Sequence, residues 1–201
     1  ILIITKDKDD TTNINNNALA SNNNNKQNNN KNETNQSDNK QQEILTGGTY
    51  KVPMKNIYID VPNYQEIEEG YTEVFIVHNS KYVAITSNRK ASAENAKGAH
   101  EIAFEKFKTN MQNYEGGVNS IRIEKDETKQ INGIDVYFFE GKINYGTSSL
   151  HDGYAIGYSF IMDGIPCEII GSVIDASQST QLINEIQNIV NSMMKTVRSE
   201  Q

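Results

Sequence analysis

Three histidines, one cysteine and one serine-rich loop are the side chains of this 201-residue sequence with the potential for chemistry. Their neighbours decide what each can do. His100 opens the run His100-Glu101-Ile102-Ala103-Phe104, which begins like the helix of a zinc protease. That helix needs a second histidine four residues on, so that both imidazoles face one ion. Phe104 stands at that place, and the motif is absent. His100 is expected instead to border the apolar side of a helix as a structural residue. His78 falls in a polar turn and is expected in solvent. The loop GTSSLHDGY brings Ser148, Ser149, His151 and Asp152 together, which are a nucleophile, a base and an acid by type. It is the nearest approach to a catalytic set in the chain. Triad members converge from separate elements, however, and neighbours along the chain rarely do. A small hydrolase using Ser148 or Ser149 with His151 and Asp152 is therefore the alternative reading, and no catalytic residue is assigned.

Other sites of chemistry fail on spacing. Gly116-Gly117-Val118-Asn119-Ser120 lacks the lysine and spacing of a phosphate-binding loop, and neither Gly146 nor Gly157 belongs to a dinucleotide fingerprint. The stretch DKDDTTNINNNA begins like a calcium loop at Asp7 and Asp9. It has Thr12 where the sharp turn needs glycine and Ala18 where a bidentate acid belongs. No metal site and no cofactor are expected. Cys167 sits in the apolar run GIPCEIIGSV, where a small buried core side chain is expected. No cation or helix N-terminus beside it in sequence would activate the thiol. With a single cysteine no intramolecular disulfide can form. The net charge is -7 with scattered acid and no basic stripe, so nucleic acid is excluded as a partner.

The elements that would position these residues follow from periodicity. Ile57, Ile59 and Val61 alternate with Asn56, Tyr58 and Asp60 as in a half-buried strand stopped by Pro62. NYQEIEEG reads as a turn or one short helical turn. Two strands, 73–77 and 82–86, follow around a polar joint. A helix is expected over 92–114, capped by Ser92 with Glu94 in its first turn, and with Ala96, Ala99, Ala103, Phe107, Met111 and Tyr114 on one face. Asn132-Gly133 is a hairpin turn joining a strand around Ile121 and Ile123 to 134–145, and Asp163-Gly164 is the turn within GYAIGYSFIMDGIPCEIIGSVI, whose first strand is 154–162. Leu182, Ile183, Ile186, Ile189, Val190, Met193, Met194 and Val197 form one stripe of a closing helix. The expected fold is α+β: an antiparallel sheet of about six or seven strands packed by two long helices.

Tyrosine is over-used, with ten in the chain, and Tyr137, Tyr145, Tyr154 and Tyr158 fall in the last two hairpins. Along 154–162 the large residues Tyr154, Ile156, Tyr158, Phe160 and Met162 share one face, opposite Ala155, Gly157, Ser159 and Ile161. Either a helix covers that Tyr-rich face, which is the expected outcome, or these four tyrosines form a binding surface.

This element order resembles the PsbP/Mog-like family, and its bacterial DcrB-like envelope branch in particular. The likeness rests on IYIDVP at the opening strand, YVAITSNRK at the end of the first hairpin, and the helix over 92–114. It continues through NGIDVYFFEGKINY, AIGYSFIMDGIPCEIIGSV and the closing helix ending IVNSMMKTV, and covers roughly 50–198. It is a likeness of order and pattern rather than of a sharp motif. The chain has no tryptophan, and Tyr64 stands in the PNYQ segment where some members place one. The resemblance implies an antiparallel sheet between helices and a role in binding or assembly rather than catalysis.

Residues 15–40 are half asparagine and have almost nothing to bury. Such a segment cannot recover its ordering entropy and is expected to be disordered. Its triplets Asn32-Glu33-Thr34 and Asn35-Gln36-Ser37 fit the glycosylation acceptor pattern, which a tract of this composition produces by chance. Before it stands ILII, which reads either as the outer end of a signal or membrane segment or merely as the point where the sequence starts. The expected organisation is a remnant and linker over 1–46, then one domain over 47–201. A flexible chain of roughly 40 residues reaches about 35 Å. The expectation is a non-catalytic, extracytoplasmic binding or assembly module in a bacterial envelope, touching the membrane only through this tether. Its partner would be another protein or an envelope component. A soluble intracellular adaptor is the remaining alternative.

Overall fold

Asn132-Gly133 and Asp163-Gly164 take the left-handed backbone that a two-residue hairpin turn needs, with φ of 51° and 78° in the first and 51° and 73° in the second. In the computed structural model of the chain, residues 46–53, 55–62, 65–69, 72–78, 80–112, 117–146, 152–174 and 180–200 are described. There the first turn joins β6 (Val118–Ile131) to β7 (Ile134–Tyr145), and the second joins β8 (Gly153–Met162) to β9 (Ile165–Val173). Upstream lie β1 (Thr46–Lys51), β2 (Ile57–Pro62), β3 (Gln65–Glu69), β4 (Thr72–His78), β5 (Lys81–Ser87) and the helix α1 (Ala96–Met111). Downstream come α2 (Thr180–Thr196) and the short β10 (Arg198–Ser199).

The strands form two antiparallel sheets, a seven-stranded one of order β3-β4-β5-β9-β8-β7-β6 and a three-stranded one of order β1-β2-β10. The α+β fold expected from the hairpins and helices is therefore the one observed, with the strand count of the main sheet at the upper expectation. α1 closes one face of the large sheet: Ala96, Phe104 and Phe107 cluster with Tyr137, Phe139, Ala155 and Ile170, and Ala99 and Ala103 are buried on the same helix. α2 closes the other through Ile186, Ile189, Val190, Met193 and Met194, together with Ile57, Ile59 and Val61 of β2. Each such aliphatic side chain, fully buried, contributes about 1.5–3 kcal/mol. Close approach is built into the backbone at two glycines. A Cβ on Gly171 would lie 2.5 Å from Val190 Cγ2 of α2, and one on Gly157 would lie 2.2 Å from the ring of Phe139.

Three expectations are corrected. Residues 65–69 are a strand and not a turn: β3 pairs with β4, Ile67 opposite Val74. One apolar residue among four polar ones gave no alternation to read. α1 is capped by Asn95, whose Oδ1 accepts a 2.9 Å hydrogen bond from Gly98 N–H, so Ser92 and Glu94 lie ahead of the helix. β1 and β10 were not predicted, since each is held chiefly by pairing with β2.

Candidate functional site

Three of the buried residues of α1 are alanines, Ala96, Ala99 and Ala103, and His100 beside them reaches the strands beneath. Among them Glu168 of β9 is fully buried, a single acid in an otherwise apolar strand. His100 Nδ1 is 2.6 Å from Glu168 Oε2, and Ser159 Oγ of β8 donates to the same oxygen at 2.7 Å. Ser159 Oγ and His100 Nδ1 are themselves 3.5 Å apart. Ser159 stands directly opposite Glu168 in the ladder, so β8, β9 and α1 each supply one member. Aromatic rings wall the cluster: Phe139 at 4.5 Å, Tyr137 at 5.4 Å and Phe104 at 5.6 Å, centroid to centroid from the imidazole. His100 is 7% exposed and Glu168 is 0% exposed, so the pair is shielded from bulk solvent.

Serine, histidine and glutamate within hydrogen-bond reach invite comparison with a hydrolytic triad. In a triad one imidazole nitrogen faces the acid and the other faces the nucleophile, so that histidine removes the hydroxyl proton. Here Ser159 and His100 Nδ1 converge on one carboxylate oxygen, and the serine proton is given to Glu168. The hydroxyl is therefore an anchor for the carboxylate, not an activated nucleophile. The other oxygen, Oε1, has no hydrogen-bond partner among the described residues. The cluster thus bolts α1 to two central strands and leaves one buried lone-pair site unmatched.

The sequence-singled residues are placed as follows. Ser148, Ser149 and His151 lie outside the described residues. Asp152 is exposed, and its Oδ1 accepts a 2.8 Å hydrogen bond from Asn144 Nδ2 of β7. His78 is the last residue of β4, one step before the turn that was expected to hold it. The four tyrosines divide between the faces and all bond within the domain. Tyr137 donates to Asp126 Oδ2 at 2.9 Å, and burial, then that carboxylate, pushes its phenol up to about 12. Tyr145 and Ser172 hydroxyls meet at 2.7 Å, both buried on the α1 face. Tyr154 donates to Glu140 Oε1 at 2.5 Å and receives Gln187 Nε2 of α2 at 2.7 Å; burial first and then Glu140 raise its pKa. Tyr158, 4% exposed, donates to Asn191 Oδ1 of α2 at 2.7 Å. A helix covers the Tyr-rich face, and the Ala/Gly face is covered by the other helix. Cys167 is buried as expected, and burial pushes its thiol up to about 12.

Reading the sequence missed Glu168 and Ser159. The available signal was the acid itself, since a lone glutamate inside an apolar strand needs a buried partner. Among the described residues no three His, Cys, Asp or Glu side chains converge to hold a metal. An open feature lies elsewhere: a cleft of about 520 Å³ where the end of α2 and β10 meet the β6–β7 turn. Its lining includes the apolar Ile134, Met162 and Val197 and the charged Asp60, Lys195 and Arg198.

No protein-family model matches the chain, and no curated protein matches it. Among solved structures, that of cyanobacterial PsbP (CyanoP) from Synechocystis sp. PCC 6803 aligns with a TM-score of 0.51 at 11% identity, over 76% of this chain and 91% of that one. A crystal structure from Bacteroides thetaiotaomicron VPI-5482 aligns with a TM-score of 0.45 at 14% identity, over 78% of this chain and half of that chain. The fold is PsbP-like, as the element order implied. At this identity the likeness defines the fold and leaves function to the site.

Proposed function

We propose that this chain is a non-catalytic binding or assembly module that works outside the cytoplasm, with its Asn-rich segment as a spacer and 47–201 as the working domain. The observation that carries the reading is the sealing of the Ser159–His100–Glu168 cluster. The side chains best equipped for chemistry among the described residues are spent on holding α1 to the sheet. The PsbP-like fold supports it, because the PsbP/Mog-like pattern goes with binding and assembly. Among the described residues no helix is long and apolar enough to cross a membrane. In this reading the asparagine-rich segment 15–40 is the spacer that holds the domain at its place of attachment. The partner is another protein or an envelope component, and nucleic acid is disfavoured by the net charge of -7.

Two measurements test the proposal together. The full chain, cross-linked in its native host and recovered from separated cell fractions, should come from the envelope fraction with a stoichiometric partner. The same protein should turn over neither generic esters nor phosphate esters. Recovery from the cytoplasm without a partner would end the reading. So would hydrolysis that disappears in His151→Ala.

A further inference from the structure

β10 is the outer strand of the three-stranded sheet, and no described strand pairs with its far edge. The register fixes what that edge offers. Glu200 N–H donates to Asn56 O at 2.9 Å, and Ser199 stands opposite Ile57. Antiparallel pairs alternate between residues that exchange both backbone hydrogen bonds and residues that exchange none. Glu200 belongs to the bonded class, so Ser199 belongs to the other. Its N–H and C=O therefore point away from β2, and Ser199 is among the residues that line the cleft.

We propose that this cleft binds an extended peptide segment of a partner protein, in which an apolar residue lies next to an acidic one, by adding a strand to the edge of β10. The inference rests on the binding reading above and names the partner's chemistry. Three observations converge on that occupant. The backbone of Ser199 supplies the donor and acceptor of strand addition. Ile134 and Met162 are only partly buried and, with Val197, give the cleft that Ser199 also lines an apolar lining within reach of a side chain on an added strand. The charged residues that line the cleft are two cations, Lys195 and Arg198, and one acid, Asp60, on a chain of net charge -7. Arg198 Nη1 is already held by Asp60 Oδ1 at 3.0 Å, whereas Lys195 is exposed and has no carboxylate partner among the described residues. An acidic side chain beside the apolar anchor meets Lys195; a basic one is repelled. The volume of about 520 Å³ is within the range of ligand sites.

The outer edges of the large sheet are less suited. β6 is bulged between Ile123 and Lys125 and carries mixed charge, and β3 carries Glu66, Glu68 and Glu69. Bulges and edge charges are how strands refuse added partners. β10 is very short, which limits backbone bonding to about one residue and leaves specificity to the apolar lining and to Lys195.

The test is a titration of the full ¹⁵N-labelled chain with a synthetic hexapeptide of alternating glutamate and valine, beside its lysine–valine counterpart. The acidic peptide should shift amides of 132–134, Met162 and 195–199 and leave those of α1 in place. Lys195→Gln should weaken it several-fold and Lys195→Glu by about tenfold or more, with the rest of each spectrum unchanged. Added salt should weaken it further. Equal binding of the two peptides, shifts centred elsewhere, or no shift at millimolar peptide would overturn the assignment. The same shifts on raising protein concentration alone would give the cleft to a second copy and overturn it too. A chain that holds its cross-linked partner but ignores the acidic peptide would keep the binding reading and lose only this site.

Discussion

The two faces of the large sheet are each closed by one helix, yet they use their polar residues in opposite ways. Under α1 the polar groups are at the centre: His100, Glu168 and Ser159 meet inside a wall of aromatic rings. Under α2 the centre is apolar, and polar groups stand at the margin. Tyr158 bonds Asn191, Tyr154 bonds Gln187 and Glu140, and Lys81 is paired with Glu185. A polar group at a margin can be rehydrated when its partner is lost. One at a sealed centre cannot, and the difference lies in desolvation rather than in the bond itself. The catalytic-looking residues are thus the most structural ones, and the cleft proposed for a partner lies at the end of the plainer face.

The largest expected effect breaks the α1 centre. His100→Ala leaves the Glu168 carboxylate buried with only Ser159 as donor, and urea unfolding should show a loss of about 3–5 kcal/mol. The paired replacement His100→Leu with Glu168→Leu removes both groups, and stability should return most of the way. A double variant as unstable as the sum of its singles would show that the cluster does more than satisfy itself.

A smaller effect compares the faces through their glycines. Gly157→Ala drives a methyl to 2.2 Å from the Phe139 ring and 2.8 Å from Ile169 O, which cannot withdraw. It should cost about 1–3 kcal/mol. Gly171→Ala meets side-chain carbons of Val190 and Ile186, which α2 can carry away by a small shift where a ladder carbonyl cannot move, and it should cost less. The reverse order would mean that the sheet is packed more tightly against α2 than around Phe139. Removing the α1 cap with Asn95→Ala should cost about 1 kcal/mol, read from the same unfolding curves.

The smallest effect near neutrality comes from the α2 face, where Cys167 is held neutral by burial. Its folded value of about 12 stands above the ordinary 9.0. The unfolded chain releases this proton first, so its contribution is complete below pH 9 and declines as pH rises towards 12. In the folded protein at pH 8 the thiol should resist alkylation and react only at the rate of unfolding. Prompt modification would place Cys167 nearer solvent than the packing under α2 allows.

The fold was legible where pattern and turn chemistry agreed. Asn132-Gly133 and Asp163-Gly164 fix two hairpins locally, and the stripe from Leu182 to Val197 has one side to bury. β3 was hidden because Gln65–Glu69 takes its strand state from pairing with β4 and carries almost no apolar signal of its own. The sealed cluster was half legible. His100 borders an alanine face in the sequence, but its partners are 59 and 68 residues away and meet it only through β8–β9 pairing. The cleft was not legible at all, since Asp60, Ile134, Met162 and Lys195 come from four separate elements.

The account turns on one separation: chemistry-bearing side chains inside for stability, recognition outside for function. It is tested most directly by the yield of cross-linked partner on the folded double variant His100→Leu, Glu168→Leu in the native host. The account predicts a yield equal to that of the unaltered chain. A folded double variant that no longer holds its partner would contradict it.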